Sequence, residues 1–140
     1  MFAGASREAL REHYRRAWRK FRAGESLEPL EAQLAALICE HPEYLPEIEG
    51  DDLRQQERTP EFGQLNPFLH LGLHMALREQ VSTDRPAGIR ALHESLSARL
   101  GNSHEAEHRM IEVLGETLWT AQRHNTVPDE LTYLERIRAL

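Results

Sequence analysis

Residues 66–77 read Asn-Pro-Phe-Leu-His-Leu-Gly-Leu-His-Met-Ala-Leu. Asn66 followed by Pro67 is a helix opening. The Asn side chain can accept from the free N–H groups of a first turn, and proline at the first helical position loses no bond. From Phe68 to Leu77 the only polar side chains are His70 and His74. A helix that is apolar on every side is expected in the interior. The stretch therefore predicts a buried central helix carrying two imidazoles one turn apart on one face.

The flanking sequence repeats the helical pattern. Leu10, Tyr14, Ala17, Trp18 and Phe21 recur at helical spacing, with Ser6 as N-cap and Gly24 as stop. A second helix after Ser26 carries Leu27, Leu30, Leu34, Leu37 and Ile38, and Pro42 ends it just past His41. Residues 42–65 are acidic and broken by proline and glycine, which predicts a loop with at most one short helix. Downstream, Asp84 and Pro86 open a helix striped by Ile89, Leu92, Leu96 and Leu100, with His93 beside the stripe and Gly101 as stop. Asn102 or Ser103 caps the next, and Glu105 three residues past Asn102 makes a capping-box pattern. Ile111, Leu114, Leu118 and Trp119 are its expected buried face, extended one turn back by His104 and His108. A last helix from Pro128 carries Leu131, Leu134, Ile137 and Leu140. No segment alternates with period two. The expected fold is all-α: a single-domain helical bundle, 1–140, of about five to six helices.

Composition narrows the function classes. At 140 residues and 40% apolar the chain suits one globular core. No apolar run reaches the ~18 residues of a membrane span, and the N-terminus lacks the apolar core of a secretory signal. Cys39 is the only cysteine and reads as a small core residue rather than a nucleophile, having no base at a suitable spacing. A cytoplasmic protein is expected. The net charge is −6, but residues 7–22 carry seven bases and two acids, and residues 25–61 two bases and eleven acids. The acidic whole disfavours nucleic acid. Either the basic first helix or the acidic segment 42–65 could meet a protein partner.

The chemistry lies in the histidines. His70/His74 and His104/His108 are two pairs at i,i+4 on separate core-facing helices. Buried imidazoles need partners for a donor and an acceptor each. A divalent metal ion (Zn, Fe, Ni or Mn) would satisfy four ring nitrogens together, and facing helices of a bundle commonly supply such ligands. His70, His74, His104 and His108 are therefore the expected metal ligands, with His41, Glu105 and Glu112 in support. Four imidazoles favour Zn, Ni or Cu, and a mixed His/Glu set Fe or Mn. The competing reading is a structural hydrogen-bonded histidine network, with Glu79, Glu105, Glu107 and Glu112 as carboxylate partners, inside a non-catalytic protein-interaction module. A third reading takes HEAEH, 104–108, as the H-E-x-x-H helix of a metal-dependent hydrolase, with Glu105 activating water. Against it, the motif sits at a helix start, has no third-ligand signature, and has no strand to hold an extended peptide. Glu-x-x-His within EAEH is the spacing of carboxylate-bridged di-iron bundles, but a second copy is missing near His70. No reaction or substrate follows from these residues.

HPEY (41–44), NPFLHLGLH (66–74), REQ (78–80), DRPAGI (84–89), HEAEH (104–108), LWTAQR (118–123) and PDELTYLERIR (128–138) together resemble one group. They are similar to the uncharacterised bacterial family catalogued as domain of unknown function 1841, over nearly the whole chain. The resemblance implies a small bacterial helical protein and no particular activity. The family's recurrent strings include His41, Asn66, Pro67, His70, His74, Glu79, Gln80, His104, Glu105 and His108.

Overall fold

A computed structural model describes residues 7–50 and 66–140. Every regular element among them is helical: α1 Arg7–Arg22, α2 Pro29–Cys39, a 3-10 turn Pro42–Tyr44, α3 Leu45–Glu49, α4 Pro67–Thr83, α5 Ile89–Leu100, α6 Ser103–Arg123 and α7 Glu130–Arg138. Among the described residues there are seven α-helices, against the five to six expected. The additional one is α3, opened with Pro46 in its first turn and closed after one turn by the extended Gly50. It falls in the segment expected to be mostly loop. Ser6 and the rest of the acidic segment, 51–65, lie outside the described residues.

The chain divides into two compact units, Met1–Leu71 and Gly72–Leu140, and the division falls inside the unbroken helix α4. In the first unit α1 and α2 form a hairpin. Gly24, at φ +72°, ends α1, with Glu25 N–H returning to Lys20 O at 3.0 Å. Glu31 Oε1 accepts from the Glu28 backbone N–H at 2.9 Å and from Lys20 Nζ at 2.7 Å, so one carboxylate ties the start of α2 to α1. Ala17, Trp18, Leu34, Leu37, Ile38, Ile48, Phe68 and Leu71 are buried. Arg15 donates to the carbonyls of Ile48 (3.3 Å) and Gly50 (3.0 Å), satisfying the end of α3, while Trp18 Nε1 donates to Glu49 at 2.9 Å.

The second unit is built on α6, against which α5 and α7 pack. Its core joins Leu73 and Leu77 of α4, Ile89 and Leu96 of α5, Met110, Ile111 and Leu114 of α6, and Tyr133 and Ile137 of α7. Asp84 Oδ1 accepts from the N–H groups of Gly88 (3.1 Å) and Arg90 (3.0 Å), fixing the turn into α5. Gly101, at φ +70°, lets the chain turn sharply from α5 to α6, and Asn102 Oδ1 caps α6 through Glu105 N–H at 3.1 Å.

Several expected core positions are corrected. Cys39 is exposed, because the buried face of α2 runs through Leu34, Leu37 and Ile38 and the next residue rotates off it. Helix α4 is not apolar-buried all round. Leu69 is 47% exposed, on a stripe continued by the small residues Gly72 and Ala76 and by Glu79. Trp119 is 59% exposed and Leu118 39%. The buried face of α6 runs through Met110, Ile111, Leu114 and, further along, Ala121, and Leu118 and Trp119 turn off it. Leu131, in the first turn of α7, is 74% exposed.

Candidate metal centre

The site is organised by α4, which holds His70 and His74 one turn apart on one face. Within the first unit His70 meets His41. The chain leaves α2 at Glu40, and the turn ahead of Pro42 carries His41 inward until it is fully buried. His41 Nδ1 lies 2.7 Å from Leu37 O, a carbonyl that can only accept, so Nδ1 carries the proton and Nε2 the lone pair. His41 Nε2 is 3.2 Å from His70 Nε2, and the two rings stand edge to face at 4.9 Å. Tyr44 stacks on His41 with ring centroids 5.2 Å apart and planes within 4°.

Within the second unit His74, also fully buried, meets α6. Its Nε2 is 2.7 Å from Glu107 Oε1. His93 of α5 reaches Glu107 Oε2 at 3.0 Å, and Arg78, one turn along α4, donates to Oε1 at 3.2 Å. Burial alone would push the Glu107 carboxyl up. The hydrogen bonds from His74 and His93, with the Arg78 charge, outweigh it and hold the group down at about 2. The ring of His108 lies 5.5 Å from that of His74, and His104 lies 4.1 Å from His108 and 5.8 Å from His74.

Around this turn of α4, His41, His70, His74 and His108 each offer one nitrogen, and the four nitrogens lie within 4.8 Å of one another. Three of the rings are buried and His108 partly so. This is a histidine cluster that could hold a metal ion. Three of the four ligands expected from the two i,i+4 pairs belong to it. The fourth is His41, expected only in support, and His104 stands beside the group rather than in it. Glu105 is about half exposed and bonded to Arg109 at 3.3 Å, and Glu112 is exposed. Glu79 is exposed as well. His93, which the sequence places beside an apolar stripe, binds Glu107. Glu107 stood among four possible carboxylate partners, and only its burial singles it out. Arg78 and Tyr44 were not anticipated. Arg78 had a signal in its i+4 spacing from His74; Tyr44 had none beyond lying near His41.

A family model described as Domain of unknown function (DUF1841) matches residues 6–139. The chain belongs to this family. No curated protein and no solved structure matches it. Membership in DUF1841 carries no assigned activity, so function rests on the geometry of the cluster. No helix among the described residues is long and apolar enough to cross a membrane.

Proposed function

We propose that this DUF1841 protein binds one divalent metal ion through His41, His70, His74 and His108. The observation that carries the reading is the convergence of four imidazole nitrogens within 4.8 Å. The separation of 3.2 Å between the His41 and His70 nitrogens supports it. Two ligands about 2.0–2.1 Å from a tetrahedral zinc ion stand ~3.4 Å apart. An all-imidazole set favours zinc or nickel over manganese or iron, which take more carboxylate. Glu105 does not support water activation at the cluster, because it is half exposed and engaged with Arg109. The site is read as a binding site, with no reaction attached.

A second reading has its own observation. The same 3.2 Å is a hydrogen-bond distance, and His74 already meets a carboxylate, so the rings could form a purely structural network inside a protein-interaction module. Elemental analysis of the full chain, purified without a His-tag, separates the two. The metal reading expects close to one equivalent of zinc or nickel, or saturable uptake on titration with Zn2+. His70→Ala should weaken Zn2+ binding by more than the ~10–100-fold typical of losing a residue behind a ligand. A chain that neither retains metal nor takes up added Zn2+ or Ni2+ is the structural network.

A further inference from the structure

We propose that Glu107 is the positioning residue of this centre: it holds His74 in the tautomer that presents Nδ1 to the metal, while His41 binds through Nε2. The inference rests on the metal reading and assigns the ligating atom of two of its rings.

An ionised carboxylate can only accept hydrogen bonds, so the 2.7 Å contact from Glu107 Oε1 requires the proton of His74 on Nε2. A neutral imidazole has a single N–H, which places its lone pair on Nδ1. The mirror arrangement holds at His41. There a carbonyl 2.7 Å from Nδ1 takes that N–H and leaves the lone pair on Nε2. The two rings are thus set in opposite tautomers by two acceptors. Ligating histidines generally donate their second nitrogen to an acceptor of this kind, which fixes the ring and strengthens it as a ligand.

Glu107 is itself held. Oε1 accepts from Arg78 at 3.2 Å as well as from His74, and Oε2 accepts from His93 at 3.0 Å. These donors come from α4 and α5 while Glu107 stands on α6, so the carboxylate is held between three helices and cannot swing away. It is buried, 8% exposed, on a helix where Glu105 and Glu112 face solvent. Four neutral imidazoles bring no charge to a divalent cation. The carboxylate behind His74 supplies a negative charge through one ligand, where it draws the Nε2 proton and raises electron density at Nδ1.

The test uses the full chain with Zn2+ as probe. Long-range proton–nitrogen correlation spectra of the wild type report the His74 tautomer directly, with and without Zn2+. The expected result is a proton on Nε2 in both states and a metal shift at Nδ1. In Glu107→Gln, where the neutral amide also accepts but pulls less on the proton, Zn2+ affinity should fall by about 10–100-fold. His93→Gln leaves the His74–Glu107 contact in place and should cost less. Zn2+ bound through Nε2 of His74, or an unchanged affinity in folded Glu107→Gln, overturns the assignment of Glu107 while the metal reading stands. If Glu107→Gln does not fold, the wild-type tautomer decides alone. A wild type that binds neither Zn2+ nor Ni2+ ends both.

Discussion

At the scale of single residues, burial separates apolar side chains that look alike in sequence. Leu77 and Leu131 both sit on a helical stripe, yet Leu77 is fully buried and Leu131 is 74% exposed. Leu77→Ala empties space inside a packed core and should cost about 2–5 kcal/mol in urea denaturation. Leu131→Ala should stay within about 0.5 kcal/mol. Equal losses from the two would contradict the placement of α7. The same distinction governs the charged residues. Glu105 and Glu107 stand two apart on α6, and a rotation of about 200° sends one to solvent and the other to His74. Tyr133 shows the matching device for a neutral group: burial pushes its hydroxyl up, which keeps it protonated and donating to Gln80 at 2.6 Å.

At the scale of elements, the α1–α2 hairpin carries a pH dependence whose sign can be worked out. Glu31 is held below the ordinary carboxylate value of 4.5 by the Lys20 hydrogen bond and then by the Glu28 backbone N–H. A depressed carboxyl contributes stability that is present above its ordinary value and lost as pH falls through the folded one. Wild type and Lys20→Met should therefore differ at pH 7, and the difference should shrink as pH falls below the ordinary value of 4.5 and Glu31 protonates. Urea midpoints between pH 7 and pH 3 check this, and curves that stay parallel would remove the Lys20–Glu31 pair as the cause. The ends of the helices were the most legible part of the sequence. Asn102, Gly101 and Gly24 act as read, because caps are made within a few residues. The first turn of α2 was less legible. Ser26 looked like its start, but the helix opens at Pro29, where proline needs no N–H partner.

At the scale of the whole molecule, a ligand bound only by the folded chain stabilises all of it. Zn2+ at 100 times its Kd should add about 2.7 kcal/mol. For a chain of this size that raises Tm by roughly 10 °C. His70→Ala should lose most of that rise, and calorimetry with and without Zn2+ measures both. A rise that survives in His70→Ala would move the binding elsewhere. Charge at this scale is uneven, with a basic α1 preceding an acidic stretch. Part of that contrast closes within the first unit, where Lys20 meets Glu31 and Arg22 meets Glu49.

By itself the sequence determined what a helix determines locally: all-α character, most helix ends, and the pairing of His70 with His74 and of His104 with His108. Those follow from a period of 3.6 residues and from caps that span one turn. Only the tertiary structure decided that His41 joins the cluster while His104 stands beside it. The same holds for Glu107, alone of four candidate carboxylates in turning to His74, and for Cys39, Leu118 and Trp119, which leave the core. Each of those depends on how a helix is rotated against its neighbours. That rotation is set by the packing of residues far apart in the chain, which no local pattern records.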